Sequence, residues 1–276
     1  MEAKGWKKYI KMGKKSDCER ELKRYREIIE KYLDRVLPSA DTEPRILHRA
    51  MRYSVFSGGK RLRPLIVLIT GNMLGVEKKK LVPVACGIEL IHNFSLIHDD
   101  LPAMDNDDFR RGKETCHKKF NEAVAVLAGD ALLTLGFKLI AETGNPFIVK
   151  ATADAIGSEG MAGGQVIDIL YKEKKISLKE KKNMDYLKTG KLFQLCFSIP
   201  LYFIKAEKEK KGKILNIGRN FGLAFQIRDD IEDREGDTEK LRSCLAILYK
   251  KMKKDIAFFG DKGVLLLYVV DKLYND

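Results

Sequence analysis

Five aspartates stand within ten residues in the segment His98 to Arg111, HDDLPAMDNDDFRR: Asp99, Asp100, Asp105, Asp107 and Asp108. Carboxylates packed this densely repel one another and raise each other's pKa unless cations intervene. Either the segment is a solvated acidic loop, or its oxygens hold a hard divalent cation. A second group, Asp229, Asp230 and Asp233, lies in QIRDDIEDREGD. On a helix Asp229 and Asp233 are i and i+4 and share one face. The apolar residues before them, Phe221, Leu223, Phe225 and Ile227, predict a largely buried helix. Two such groups, each ending an apolar helix, predict a multi-metal site between facing helices. Hard cations with several carboxylates in a basic chain imply a phosphate-bearing ligand.

Basic and polar residues supply the other half of that chemistry. GGKRLRP, from Gly58 to Pro64, places Lys60, Arg61 and Arg63 behind two glycines. Glycine lets a backbone approach a ligand, and Arg offers paired donors to phosphate. Arg110, Arg111 and Lys113 follow the first acidic group; they either neutralise it or grip a diphosphate whose metals it holds. His92 shares a helical face with Ile88, Ser95 and Asp99. Gln165 and Asp168 form a polar pair in an apolar helix containing Gly163 and Gly164, and Lys188, Thr189 and Gly190 interrupt another. An EF-hand is excluded because no 12-residue loop with a central Gly ends in Glu. A P-loop is excluded because GxxxxGK[ST] is missing.

Positioning these groups falls to helices. Apolar stripes at helical spacing predict helices over Asp17 to Leu37, Pro44 to Phe56, Leu62 to Leu74, Leu81 to Asp100, Glu122 to Ala141, Phe147 to Lys172, Ser177 to Ile204 and Lys213 to Asp233. Lys205 to Lys213 reads as a solvated loop or helix end. Pro102 predicts that a helix ends near the first acidic group, which matters because Asp100 and Asp105 would lie about 140° apart on a continuous helix. Gly190 predicts a local opening of its helix. Alternating strands and repeats are not visible. The reading is one all-α domain over 1–276.

Composition agrees. The chain has 276 residues, 45% of them hydrophobic, and a net charge of +13. That length can bury a core, and that charge calls for anionic partners. Five scattered cysteines without CxxC exclude a disulfide scaffold and a structural zinc site. The basic N-terminus lacks the apolar segment of a secretory signal. No apolar run of about 18 residues is visible, so no membrane span is expected. With no recognition motif, nucleic acid is not expected either. The expected location is the cytoplasm.

GGKRLRP, HDDLPAMDNDDFRRGKETCHKKF and FQIRDDIED, with GGQVID and KTGKLF between them in order, resemble the trans-type isoprenyl diphosphate synthases over Leu47 to Asp237. The resemblance implies an all-α isoprenoid synthase fold with a deep central cavity, usually homodimeric. It implies that Asp99, Asp100 and Asp105, with Asp229, Asp230 and Asp233, hold three Mg²⁺ ions (Mn²⁺ as the substitute) against an allylic diphosphate. Lys60, Arg63, His92 and Arg111 would bind isopentenyl diphosphate. Arg110 and Lys188 would contact the allylic diphosphate. Thr189, Gln226 and Phe225 would line the reacting centre. Phe94, five residues before Asp99, and the DDxxxxD spacing resemble the bacterial farnesyl diphosphate synthases, so the expected product is C15, with C20 as the alternative. A departure follows the second acidic group. The family's lysine-bearing segment, GKxxGxD and then a Lys-Thr-Tyr-Pro-like stretch, is missing here. That keeps a weakly active or non-catalytic subunit among the alternatives, beside a terpene cyclase of the same fold.

Overall fold

The computed structural model describes residues 13–171, 177–232 and 237–275. Thirteen α-helices account for most of them: α1 Gly13–Val36, α2 Arg45–Val55, α3 Leu62–Leu74, α4 Lys78–Asp99, α5 Cys116–Lys119, α6 Glu122–Ala141, α7 Pro146–Ile156, α8 Met161–Tyr171, α9 Leu178–Asp185, α10 Lys191–Ser198, α11 Lys208–Glu232, α12 Thr238–Ala257 and α13 Val264–Asn275. The described strands are β1 (Phe109–Arg110) and β2 (Lys113–Glu114), a two-residue antiparallel ladder. The all-α expectation therefore holds. The chain divides into two compact units: Arg26–Leu65 with Lys79–Val149, and the described parts of Met1–Tyr25, Ile66–Lys78 and Lys150–Asp276.

In the first unit α4 is buried almost continuously from Leu81 to Ile91. Its close partner is α6. A Cβ on Gly87 would lie 2.8 Å from the Gly136 carbonyl oxygen, so two glycines let these backbones meet. Both α4 and α6 are long and apolar enough to cross a membrane by length and composition alone, which the sequence reading did not anticipate. In α4, 67% of the apolar window is buried, as in a core helix; in α6 only 39% is. In the second unit Phe193, Phe197 and Phe221 are fully buried, with ring centroids 5.2 and 5.3 Å apart between α10 and α11. Each such burial stabilises by about 1.5–3 kcal/mol.

Three expected helices differ. Phe147 to Lys172 is two helices, because Gly157 and Gly160 break it: the Gly160 N–H bonds to Gly157, and a Cβ on Gly160 would clash with the Ala155 carbonyl. Lys172 lies outside the described residues. Ser177 to Ile204 divides into α9, a π-turn over Tyr186–Gly190, α10 and a 3₁₀ segment over Ile199–Phe203. Ser177 caps α9 reciprocally with Glu180, and Pro200 lies in the first turn of the 3₁₀ segment. The helix expected from Lys213 starts earlier, at Lys208, so the Lys-rich stretch is the helix end among its two readings, since Lys and Glu favour helix and need no burial. The helices α12 and α13 carry no polar motif and were not assigned from sequence.

Candidate active site

Helix α4 ends at Asp99, three residues before Pro102, as its residues require. The chain then folds back. The Asp105 N–H donates to the Asp99 carbonyl at 2.8 Å, and the Asp107 N–H to that of Asp100 at 3.2 Å, with Asn106 at φ 53. Asp105 is thereby freed from helical geometry and returned to the helix end beside Asp99. Asp100 is 3% exposed. Burial pushes its carboxyl up, and Arg110 opposes the shift. Arg110 Nε donates to Asp100 Oδ1 at 2.6 Å and its Nη2 to Asp107 Oδ2 at 3.3 Å. Arg110 thus pairs with two carboxylates of the acidic group.

Arg111 behaves differently. It and Gly112 join β1 to β2 with φ 53 and φ 74, the two left-handed central residues of a type I′ hairpin. Adjacent arginines consequently leave in different directions. Arg111 donates to the Gly58 carbonyl, and a Cβ on Gly59 would lie 2.6 Å from Arg111 Nη1. The second glycine is there to let a guanidinium cross the loop.

The same loop carries Lys60, which is exposed, and the first turn of α3 carries Arg63, whose Nη1 lies 3.0 Å from His92 Nε2. Burial first, then Arg63, Arg111, Arg110 and Arg61, hold His92 well below the usual imidazole range. The ring is neutral, so Nε2 accepts from Arg63 and the proton sits on Nδ1. Arg63, His92 and Arg111 thus lie together as one electropositive cluster. A cavity of about 30 Å³, bounded by Tyr53, Asp100, Arg110, Arg111 and Thr115, lies beside it and has room for a water molecule.

Sequence reasoning missed the role of Arg61. It is 3% exposed and adopts φ 50. Its guanidinium meets Glu30 at 2.7 Å, Glu89 at 3.0 Å and the Val55 carbonyl at 2.6 Å. Between the exposed Lys60 and the half-buried Arg63, Arg61 points inward and anchors the loop. Its composition gives no hint of that, because Glu30 and Glu89 are remote in sequence.

Within the other unit, α11 supplies Phe225, Gln226, Asp229 and Asp230; Asp233 lies outside the described residues. Asp230 is 5% exposed and accepts from Gln226 Nε2 at 3.2 Å and Lys181 Nζ at 3.3 Å. Lys181 was not foreseen. Phe225 packs on Phe193 with centroids 4.8 Å apart. Lys188 and Thr189 sit in the π-turn, where the sequence predicted an opening, and Lys188 Nζ is 2.5 Å from Asp168 Oδ2. Phe94, on α4, meets the His98 ring edge-on at 4.8 Å.

Among the described residues, no three His, Cys, Asp or Glu side chains form a ready metal cage. The donors are nonetheless all carboxylate oxygens, suited to a hard cation, and the buried Asp100 is compensated chiefly by Arg110. Mg²⁺ fits such a set, because it takes one or two carboxylates and completes its shell with water and substrate phosphates.

The pattern of the family described as polyprenyl synthetase matches residues 44–246. A farnesyl diphosphate synthase of Bacillus subtilis (strain 168) is 45% identical over 206 residues, covering 72% of this chain and 70% of that protein. A geranylgeranyl diphosphate synthase of Cyanophora paradoxa is 34% identical over 282 residues, covering 91% and 93%. Among solved structures, a geranyltransferase from Legionella pneumophila superposes with a TM-score of 0.89 at 32% identity, covering 94% of this chain and 98% of that one. With its motif segments in order inside the matched span, the chain belongs to the polyprenyl synthetase family.

Proposed function

We propose that this chain is a head-to-tail prenyltransferase that joins isopentenyl diphosphate to dimethylallyl or geranyl diphosphate, giving farnesyl diphosphate and pyrophosphate. The observation that carries this reading is the cluster of Arg63, His92 and Arg111. It offers a separate seat for a second diphosphate, which a cyclase acting on one substrate does not need. A neutral His92 donates a hydrogen bond without adding to the crowded positive charge.

Asp99, Asp100 and Asp105, and in the later segment Asp229, Asp230 and Asp233, are the proposed ligands of three Mg²⁺ ions. Bound Mg²⁺ supplies Lewis-acid stabilisation of charge on the leaving diphosphate. Lys60, Arg63, His92 and Arg111 hold the isopentenyl diphosphate; Arg110 and Lys188 hold the allylic diphosphate. The allylic C–O bond breaks with its electrons going to the diphosphate. The isopentenyl double bond attacks the resulting carbocation, and the proton it then loses goes to the departing pyrophosphate. Gln226, Thr189 and Phe225 face the cation with dipoles and a ring. The aspartates are ligands, not an acid–base pair.

Phe94, backed by His98, forms the floor that stops growth at C15. The Cyanophora relative, whose name gives a C20 product, favours geranylgeranyl diphosphate as the second reading. Residues 1–276 act as one synthase domain, in the cytoplasm and as a homodimer; Val126 and Leu127, 38% and 58% exposed on the apolar α6, suit burial against a second copy. Incubation with Mg²⁺, isopentenyl diphosphate and C5, C10 or C15 primers tests the whole reading. C15 as the main product is expected. Allylic substrate consumed without isopentenyl diphosphate would point to a cyclase. No turnover unless a second protein is added would identify a silent subunit.

A further inference from the structure

Asp168 has no part in the chemistry above, yet the fold brings it to Lys188. Gly164 and Asp168 are i and i+4 on α8 and share one face. A Cβ on Gly164 would overlap the Lys188 backbone nitrogen and lie 2.8 Å from its Cα, so α8 rests directly on the π-turn. One turn further along, Asp168 Oδ2 reaches Lys188 Nζ at 2.5 Å, both side chains being partly buried. Gln165, between them in sequence, is 8% exposed, and its Nε2 has no hydrogen-bond partner among the described residues. The contact face of α8 thus combines a glycine that permits close approach, a carboxylate and an unused amide donor.

An ammonium has three donors on a flexible four-carbon stem. A carboxylate that takes one of them fixes the direction of the other two. We propose that Asp168 is a positioning residue, which orders the Lys188 side chain so that its remaining N–H groups meet the allylic diphosphate. This rests on the reading of Lys188 as an allylic diphosphate ligand. Without Asp168 the lysine regains its rotamers, and the freedom lost on binding corresponds to a weakening of about tenfold.

The test is calorimetric binding of dimethylallyl thiodiphosphate, which does not ionise readily, in the presence of Mg²⁺. Asp168→Ala is expected to weaken that ligand about tenfold and to leave isopentenyl diphosphate affinity unchanged. Asp168→Glu should recover part of the loss, and the isosteric Asp168→Asn guards against misfolding. In a Lys188→Ala background Asp168→Ala should add nothing. Equal weakening of both ligands, or a loss that persists without Lys188, would overturn the proposal. If Lys188→Ala weakens binding while neither Asp168→Ala nor Asp168→Asn does, the positioning role alone fails. If Lys188→Ala binds as wild type does, the assignment of Lys188 fails with it.

Discussion

Replacing Arg61 by Met should cost far more stability than replacing either basic neighbour. The Arg61 and Glu89 side chains are 2% and 3% exposed, whereas Glu30 is 43% exposed. Burial opposes the Arg61 charge, and the two glutamates more than restore it. Removing the guanidinium leaves Glu89 charged and buried and the Val55 carbonyl without its donor. Breaking a buried pair from one side costs about 3–5 kcal/mol. The Glu30 pair, half in water, adds at most about 1 kcal/mol. The left-handed backbone at this position strains Met as much as Arg, so that term cancels. At roughly 2–4 °C per kcal/mol the melting temperature should fall by about 6–20 °C. The assay is thermal unfolding of the wild type, Arg61→Met, Glu89→Gln and the double variant. The double variant should be more stable than the sum of the single losses by about 2 kcal/mol, within the range seen for contacting groups. Because Lys60 and Arg63 flank Arg61, KM for isopentenyl diphosphate should rise as well. A melting temperature within about 2 °C of wild type, or additive losses, would refute the anchoring argument.

Four further outcomes follow from the geometry. Phe94→Ala should shift the product from C15 towards C20 by chromatography of the dephosphorylated products; unchanged C15 would remove Phe94 as the floor. Asp99→Ala and Asp229→Ala should each lower turnover by about 10³-fold, since Lewis-acid stabilisation is worth several kcal/mol; near-normal rates would refute the ligand assignment. Gly222→Ala would set a Cβ 2.6 Å from the Gly190 Cα, and overpacking two backbones should cost about 1–3 kcal/mol in chemical denaturation. His92, held neutral in the fold, binds fewer protons there than in the unfolded chain. Its contribution is complete above the ordinary imidazole value of about 6.5 and falls by up to about 1.4 kcal/mol per pH unit below it. His92→Gln should flatten stability between pH 6.5 and 5 to that extent, as melting curves at stepped pH will register.

The aspartate groups, the GGKRLRP loop and the π-turn were legible because their chemistry is local. Carboxylate density, paired glycines and a glycine inside a helix act over a few residues, and spacing alone exposes them. Helix limits were legible where a Pro or a strong apolar run set them, as for Leu62–Leu74 and Glu122–Ala141, which match residue for residue. They were misread where Gly157 and Gly160 broke a long apolar stretch.

Sequence alone determined that this chain is helical and that it carries two groups of carboxylates and a basic segment, a combination that implied a phosphate-bearing ligand. Tertiary structure alone decided which basic residue serves which partner. Arg61 turns inward to Glu30 and Glu89, Arg63 meets His92, Arg110 pairs with Asp100, Arg111 crosses the glycine loop and Lys188 settles on Asp168. These residues are chemically alike and often adjacent in sequence. What separates them is a backbone turn, as at Arg61 and Arg111, or a partner brought from 20 or more positions away, as at Arg63 and Lys188. Charge is additive along a chain, but its pairing depends on distance and burial, and those exist only once the helices have packed.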